Sequence, residues 1–429
     1  MKENKKEVFA WVLYDFANTS FSVIMVTVVF AVYFRDYIVG EISLNIPGLP
    51  NNPGDFLWSI AGSLSMFLVA LTSPILGAAA DYSNRKKWFV FFYSFLCISS
   101  TILLYFPGEG MIFTAMALFV LANFGFEGSL VFYNAFLPKI ARPENIGRIS
   151  GSGFAFGYVG AIISLLIALF YANLASDTGD ITAMAPSFVW AALFFFIFSL
   201  PFYFWVDEPP MIVERKHQNY IRIGILRTVE TIKKLRRFPQ LLRFLGAYFV
   251  YIDGVNTVMF FGALFATQTL GFTMVEVIIF FAITQFAAII GAFGLGSLSD
   301  RIGAKPTINI TLVMWVVVTV GAYFSYDAFS FYIVGLIAGA AMGASQAASR
   351  VLMAHFIPRG MEAEFYGFYA LMGKFSAILG PLVFGLISSV TGSQRLAVLS
   401  ISLFFISGYI LLQRVDTRVN YKDAHIINS

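Results

Sequence analysis

Read for hydrophobic and polar positions, the 429-residue chain divides into long apolar runs separated by short clusters of charged residues, Gly, Pro and Asn. A helical run of roughly 20 apolar residues covers the hydrocarbon core of a bilayer. Twelve such runs are predicted. In the first half they fall at 9 to 34, 56 to 79, 88 to 106, 111 to 136, 149 to 171 and 186 to 205. In the second half they fall at 241 to 267, 274 to 296, 306 to 325, 329 to 353, 364 to 390 and 395 to 412. These runs are continuous, unlike the alternating segments of roughly ten residues that build a membrane β-barrel, so the expected fold class is all-α. The organisation expected is a six-helix bundle over 1 to 205, a linker over 206 to 240, and a second bundle over 241 to 429.

Composition agrees with the pattern. Only 12% of the residues are charged, about half the share in soluble domains, so a water-soluble protein is excluded. The net charge of +4 matters only through its placement. Of 28 Lys and Arg residues, 24 lie near the termini or in the even-numbered connections; Arg35 and Arg395 lie on the other side, and Arg350 and Lys374 fall inside spans. Positive charge is retained in the cytoplasm, so both termini are expected there, in a multi-pass protein of the cell (inner) membrane. The start MKENKKEVFAW looks like the basic region of a secretory signal, but Asp15 and Asn18 interrupt the apolar run and no small-residue cleavage site follows, so an uncleaved first helix is expected. A single cysteine, Cys97, excludes an intrachain disulfide and a thiolate metal cluster, and the three histidines are far apart in sequence. No metal, cofactor or nucleic-acid partner is expected. No nucleotide loop, nucleophile elbow or zinc motif points to an enzyme.

The linker carries Ile225, Leu226, Val229, Ile232 and Leu235 at helical spacing beside a run of Lys and Arg. It reads either as an amphipathic basic helix on an anionic inner leaflet or as a plain positively charged connection.

The two halves repeat weakly and in the same order. DFANT at 15 to 19 answers DGVNT at 253 to 257, GAAADYSNRKK at 77 to 87 answers GSLSDRIGAK at 296 to 305, AFLP at 135 to 138 answers HFIP at 355 to 358, and Gly147 and Gly160 answer Gly367 and Gly380. Colinear matches on equivalent spans imply two six-helix units in the same orientation. GSLSDRIGAK is similar to the signature of the major facilitator superfamily between helices 8 and 9, and the first copy to its counterpart between helices 2 and 3. The first copy departs from that signature at Tyr82 and Asn84. Gating is therefore expected at Gly77, Asp81, Arg85, Gly296, Asp300, Arg301 and Gly303. The glycines allow close approach and a tight turn, and the aspartates either cap a helix start or pair with a base. Span 1, the stretch NAFLPKIARPENIGRISGSGFAFGYVG and the sequence of span 11 further resemble the vacuole-effluxer-like family. That resemblance implies a transporter of two pseudo-symmetric six-helix bundles and an amino-acid-like substrate.

Five ionisable residues lie well inside spans: Asp15, Glu127, Asp253, Arg350 and Lys374. Each costs roughly 2.5 to 3.5 kcal/mol near the middle of a membrane helix, so function is the default reading. In major facilitator proteins spans 1, 4, 7 and 10 line the solute pathway, and the first four of these residues lie on those spans; Lys374, on span 11, falls outside that set. Polar stripes at helical spacing surround them: Asp15, Asn18 and Thr19; Asn123 and Glu127; Asp253, Asn256 and Thr257; Gln346 and Arg350. Tyr14, Phe126, Tyr133 and Tyr251 are candidate walls of a cavity. Permanent pairing of an acid with Arg350 or Lys374 as structural glue is the alternative. Three acids against two bases leave one carboxylate free to carry a coupling proton, with Glu127 the first choice by depth and Asp253 the second. The glycines of spans 5 and 8 read as helix packing sites, not as a phosphate loop.

The expected function is secondary active transport of a small polar solute by alternating access, with a proton as candidate coupling ion, in a monomer embedded in the bilayer. This reading requires the charges of spans 1, 4, 7 and 10 to meet in one hydrated chamber. A non-transporting solute or lipid sensor that signals through the central loop is the alternative.

Overall fold

A computed structural model of the chain describes residues 4–40, 54–208, 220–272, 274–376 and 379–419. Among these the regular elements are all helices. The first half comprises α1 (Lys5–Val39), α2 (Gly54–Ser83), α3 (Lys86–Leu103), α4 (Ile112–Asn134), α5 (Ile146–Thr178) and α6 (Pro186–Trp205). The second comprises α7 (Pro239–Leu270), α8 (Met274–Ile302), α9 (Ala304–Phe324), α10 (Ala328–Phe356), α11 (Glu362–Ser376 with Leu379–Thr391) and α12 (Gln394–Gln413). A linker helix, Tyr220–Lys234, lies between them. Eleven of the twelve are long and apolar enough to cross a membrane. The twelfth, α3, has 18 residues but starts earlier than the apolar run predicted, at Lys86, and its two leading lysines dilute it.

Two features of the connections were written in the sequence. Asn84 adopts a left-handed φ of 52°, the conformation a signature glycine would take, and Gly303 turns at φ 92°. One was not: α1 leaves regular α-helix at Ser22–Val28 and again at Phe34–Val39 for π-helical turns, which no apolar period announces.

The internal repeat is visible in packing. A Cβ added to Gly160 of α5 would collide with Phe16 and Thr19 of α1, and one added to Gly380 of α11 would collide with Asp253 and Thr257 of α7. The matched glycines thus seat the matched DFANT and DGVNT motifs.

An even number of spans places both termini on one face, called here the terminal face. At that face the halves meet through glycines and two aspartates. Gly77 of α2 abuts the backbone of Ala363 on α11, and Gly367 abuts Ser73 and Pro74. Gly147 and Gly151 of α5 abut Gly296 and Ala292 of α8. Such pairs let helix backbones touch, which any larger residue prevents.

Aromatic side chains expected to line a cavity are core instead. Tyr14, Tyr133 and Tyr251 are fully buried. Tyr133 stacks between Trp11 and Tyr14 with ring centroids 4.7 Å from each, and Phe126 is buried as well. An amphipathic tyrosine satisfies its hydroxyl inside the protein as readily as at a cavity: Tyr14 Oη and Ser94 Oγ lie 2.6 Å apart, Tyr251 Oη and Ser349 Oγ 2.7 Å apart, and the Tyr133 hydroxyl donates to the Trp11 carbonyl.

Candidate functional site

The intramembrane charges separate into three sets. The first is centred on Arg350 of α10. Its Nη1 donates to Asp15 Oδ2 at 3.2 Å and to Asn134 Oδ1 at 3.1 Å, its Nε to Ser150 Oγ at 2.9 Å, and its Nη2 to the Ser150 carbonyl at 2.7 Å. The guanidinium also lies over the rings of Trp11 and Phe154 at 4.7 and 4.1 Å. Arg350 is 3% exposed and Asp15 7%. Three helices of the first half therefore grip one side chain of the second. The planar fork of five donors suits this, since each direction meets a different acceptor. Gly153 completes the seat, because a Cβ there would overlap Asp15 and Arg350.

The second set is Glu127 of α4 with Lys374 of α11, 2.6 Å apart. The residue that sequence reading left outside the pathway set is thus the partner of one inside it. This pair is partly open: the Lys374 side chain is 28% exposed and that of Glu127 12%. Elsewhere between the halves, the Tyr158 hydroxyl of α5 donates to Gln346 Oε1 of α10 at 3.3 Å.

The third set is Asp253 of α7, fully buried. Both its carboxylate oxygens lie 2.9 Å from the Gly380 amide nitrogen of α11, while Thr257 Oγ1 donates to the Asp253 carbonyl. Among the described residues no base faces it. The carboxylate left over by the count of three acids and two bases is therefore Asp253, which reverses the order expected from depth alone.

The four charges of spans 1, 4, 7 and 10 accordingly do not all contact one another. Asp15 and Arg350 meet, Glu127 turns to α11, and Asp253 faces the other half of α11. Depth along a helix was legible in the sequence, but the side of the helix on which a partner stands depends on neighbour packing.

Other expected site residues are dispersed along the same helices. Asn18 is 3% exposed and its Nδ2 has no hydrogen-bond acceptor among the described residues; Asn123 donates to Ser65 Oγ at 2.6 Å while its Oδ1 has no donor. Thr19 donates to the Phe16 carbonyl, and Asn256 is half-buried. A cavity of about 620 Å³, counting the space at its mouth, opens within the second half between Thr257, Phe261, Phe280, Thr284, Phe331 and Phe384. Its walls are apolar.

At the terminal face, each signature aspartate accepts two successive amides from the first turn of a helix in the opposite half. Asp81 Oδ1 and Oδ2 accept from Ala363 and Glu364 at 3.2 and 2.9 Å, and Asp300 Oδ1 and Oδ2 accept from Gly147 and Arg148 at 2.6 and 2.9 Å. A carboxylate at a helix start satisfies otherwise open N–H groups and complements the positive end of the dipole. The bases chosen from the sequence do not take part as expected: Arg85 and Arg301 are exposed. Lys86, one residue on, is buried and lies 2.8 Å from Asp81 and 2.5 Å from Glu362. The last residue before a helix projects outward, whereas the first helical residue turns into the seam. The inter-half contacts named here all lie between the terminal face and the level of Glu127 and Lys374.

With this geometry in place, comparison with known proteins fixes the family. A family model described as vacuole effluxer Atg22 like matches residues 57–425. The chain belongs to the vacuole effluxer Atg22-like family. An uncharacterised MFS-type transporter of Bacillus subtilis is 30% identical over 420 residues, covering 96% of this chain and 95% of the relative. The autophagy-related protein 22 of Coccidioides immitis is 23% identical, over 84% of this chain and 72% of its own length. In fold, this Atg22-like chain is similar to the Escherichia coli fucose:proton symporter (TM-score 0.73, 14% identity, 96% of this chain and 98% of that one). It is also similar to a bacterial homologue of the iron transporter ferroportin in an outward-facing state (TM-score 0.69, 12% identity, 96% and 99%). The architecture is the major facilitator fold, and the protein is a multi-pass membrane protein of a transporter family.

Proposed function

We propose that this Atg22-like protein is a secondary active transporter that moves a small zwitterionic solute of the amino-acid class by alternating access, with a proton as coupling ion. The observation that carries the reading is the Glu127–Lys374 pair: two opposite charges, one from each half, 2.6 Å apart and partly open. An ion pair in such a place is a stand-in for a zwitterion. A solute ammonium replaces Lys374 on Glu127, and a solute carboxylate replaces Glu127 on Lys374, so each charge stays paired whether or not solute is bound. Asn18 Nδ2 and Asn123 Oδ1 add one open donor and one open acceptor for further polar contacts.

Asp253 is assigned the coupling proton on charge balance: it alone of the three acids faces no base among the described residues. The closed seam at the terminal face supports a state accessible from the other side. The distribution of 24 of 28 Lys and Arg supports a cytoplasmic terminal face in the inner membrane.

Purified protein in proteoliposomes, screened with labelled amino acids under an imposed pH gradient, tests this. Accumulation is expected in the wild type. Asp253→Asn should abolish gradient-driven accumulation yet retain solute exchange, and Glu127→Gln should weaken solute affinity about tenfold or more, the equivalent of about 1.4 kcal/mol. Binding of an amino acid without flux under any gradient would instead establish a sensor.

A further inference from the structure

The linker helix meets the protein through a small polar face; of the apolar residues in its sequence pattern, the side chains of Ile232 and Leu235 lie outside the described residues. Gly224 sits on the Ile75 carbonyl and Ala79 of α2, where a Cβ would collide, and Thr228 and Thr231 are each only 6% exposed. Ile225, Leu226 and Val229 face away, 45%, 59% and 45% exposed. An apolar set of this kind turned from the protein needs a partner.

Position identifies that partner. Along α2, Leu64, Phe67 and Leu71 form an exposed apolar stripe of the kind membrane helices offer to lipid. Ile75 continues it at the next turn, and there the linker helix takes over. Ala79 is four residues from the end of α2, so the helix lies within about 6 Å, along that axis, of the point where the span ends. That is the depth at which the hydrocarbon gives way to headgroups. Charge then selects the headgroup: Lys233, Arg236 and Arg237 are exposed on or just beyond the helix, with Glu230 the acid among them.

We propose that the outward face of the linker helix docks on an anionic lipid surface, with Ile225, Leu226 and Val229 at the acyl boundary and Lys233, Arg236 and Arg237 among acidic headgroups. Each base near an anionic surface is attracted to it, and the attraction is screened by salt within a Debye length. The docking bears on the seam. The turn of α2 held by Gly224, at Ile75 and Ala79, is the turn whose Gly77 abuts Ala363 of α11. A helix pinned to the leaflet therefore braces α2 against α11 and favours the state closed at the terminal face.

The test uses the full chain carrying Leu226→Cys labelled with an environment-sensitive fluorophore, since the native Cys97 is buried. Vesicles are phosphatidylcholine alone or phosphatidylcholine mixed with phosphatidylglycerol. In anionic vesicles a blue-shifted emission, protection from an aqueous quencher, and reversal of both by high salt are expected. The combined substitution Lys233→Gln, Arg236→Gln and Arg237→Gln should remove the lipid dependence while leaving the melting temperature in detergent unchanged. Equal emission in the two vesicle types, or quencher access in both, overturns the proposal. The readout needs no transport, so it stands or fails separately from the transport assay.

Discussion

Arg350 is the side chain on which the two halves converge, and its chemistry explains why a lysine would not serve. Five donors in a rigid plane reach Asp15, Asn134 and both oxygens of Ser150, while the faces of the plane rest on Trp11 and Phe154. A lysine ammonium offers three donors from one point and no flat face. Arg350→Lys therefore leaves buried acceptors open, and loss of a partner in a buried pair costs about 3 to 5 kcal/mol. The expected outcome is a marked fall in melting temperature in detergent, larger than for Lys374→Gln at the partly open pair. If the two variants melt alike, Arg350 is not the structural anchor and belongs with the solute-binding charges. Sequence alone showed that Asp15, Glu127, Asp253, Arg350 and Lys374 lie in hydrocarbon and demand a reason. It did not pair them, because pairing depends on which helix faces which, and the period of one helix carries no information about its neighbour's rotation.

At the level of helices, the sequence told more. The twelve spans, the left-handed turn at Asn84 and the matched glycines all follow from local rules of hydropathy, backbone freedom and repeat. The π-helical turns of α1 do not, since they depend on tertiary packing. The latch is intermediate: the signature motif located Asp81 and Asp300, but helix phase decided that Lys86 and not Arg85 enters the seam. The two copies differ in consequence. Asp300 relies on two backbone amides, whereas Asp81 also neutralises Lys86, which Glu362 shares. Removing the Asp81 charge loses a helix cap of about 1 to 2 kcal/mol and one of the two carboxylates that hold Lys86 in the seam. Asp81→Asn should thus open the terminal face more than Asp300→Asn. A thiol placed in the seam by Ser299→Cys, 5% exposed in the native residue, reports this through its rate of labelling by a membrane-impermeant reagent. About fivefold or faster labelling is expected with Asp81→Asn, and equal rates in both variants would remove the asymmetry.

For the whole molecule, the decisive property is that the halves meet at the terminal face through small-residue and capping contacts, with the Arg350 cluster and the Glu127–Lys374 pair as the charged contacts deeper in the bundle. Such a seam is strong when closed, because backbones meet and polar groups are satisfied, and opening it requires the buried Arg350 and Lys86 side chains to exchange their partners. Two stable arrangements separated by a rigid-body rotation are what alternating access needs. A covalent staple across the seam tests whether that rotation is obligatory. A Cβ built on Gly147 lies 3.0 Å from the Cβ of Ser299, slightly inside the 3.5 to 4.5 Å span of a disulfide, so a small separation of α5 from α8 accommodates the bond. The pair Gly147→Cys with Ser299→Cys, oxidised in proteoliposomes, is expected to stop net flux and exchange alike, and reduction should restore both. Each single variant under the same oxidant sets the reference flux, which separates the staple from the looser seam that a side chain on Gly147 itself causes. Flux that persists through the stapled seam would show that solute crosses without the halves parting at the terminal face, and would leave the charge pairs described here as architecture, not as a transport site.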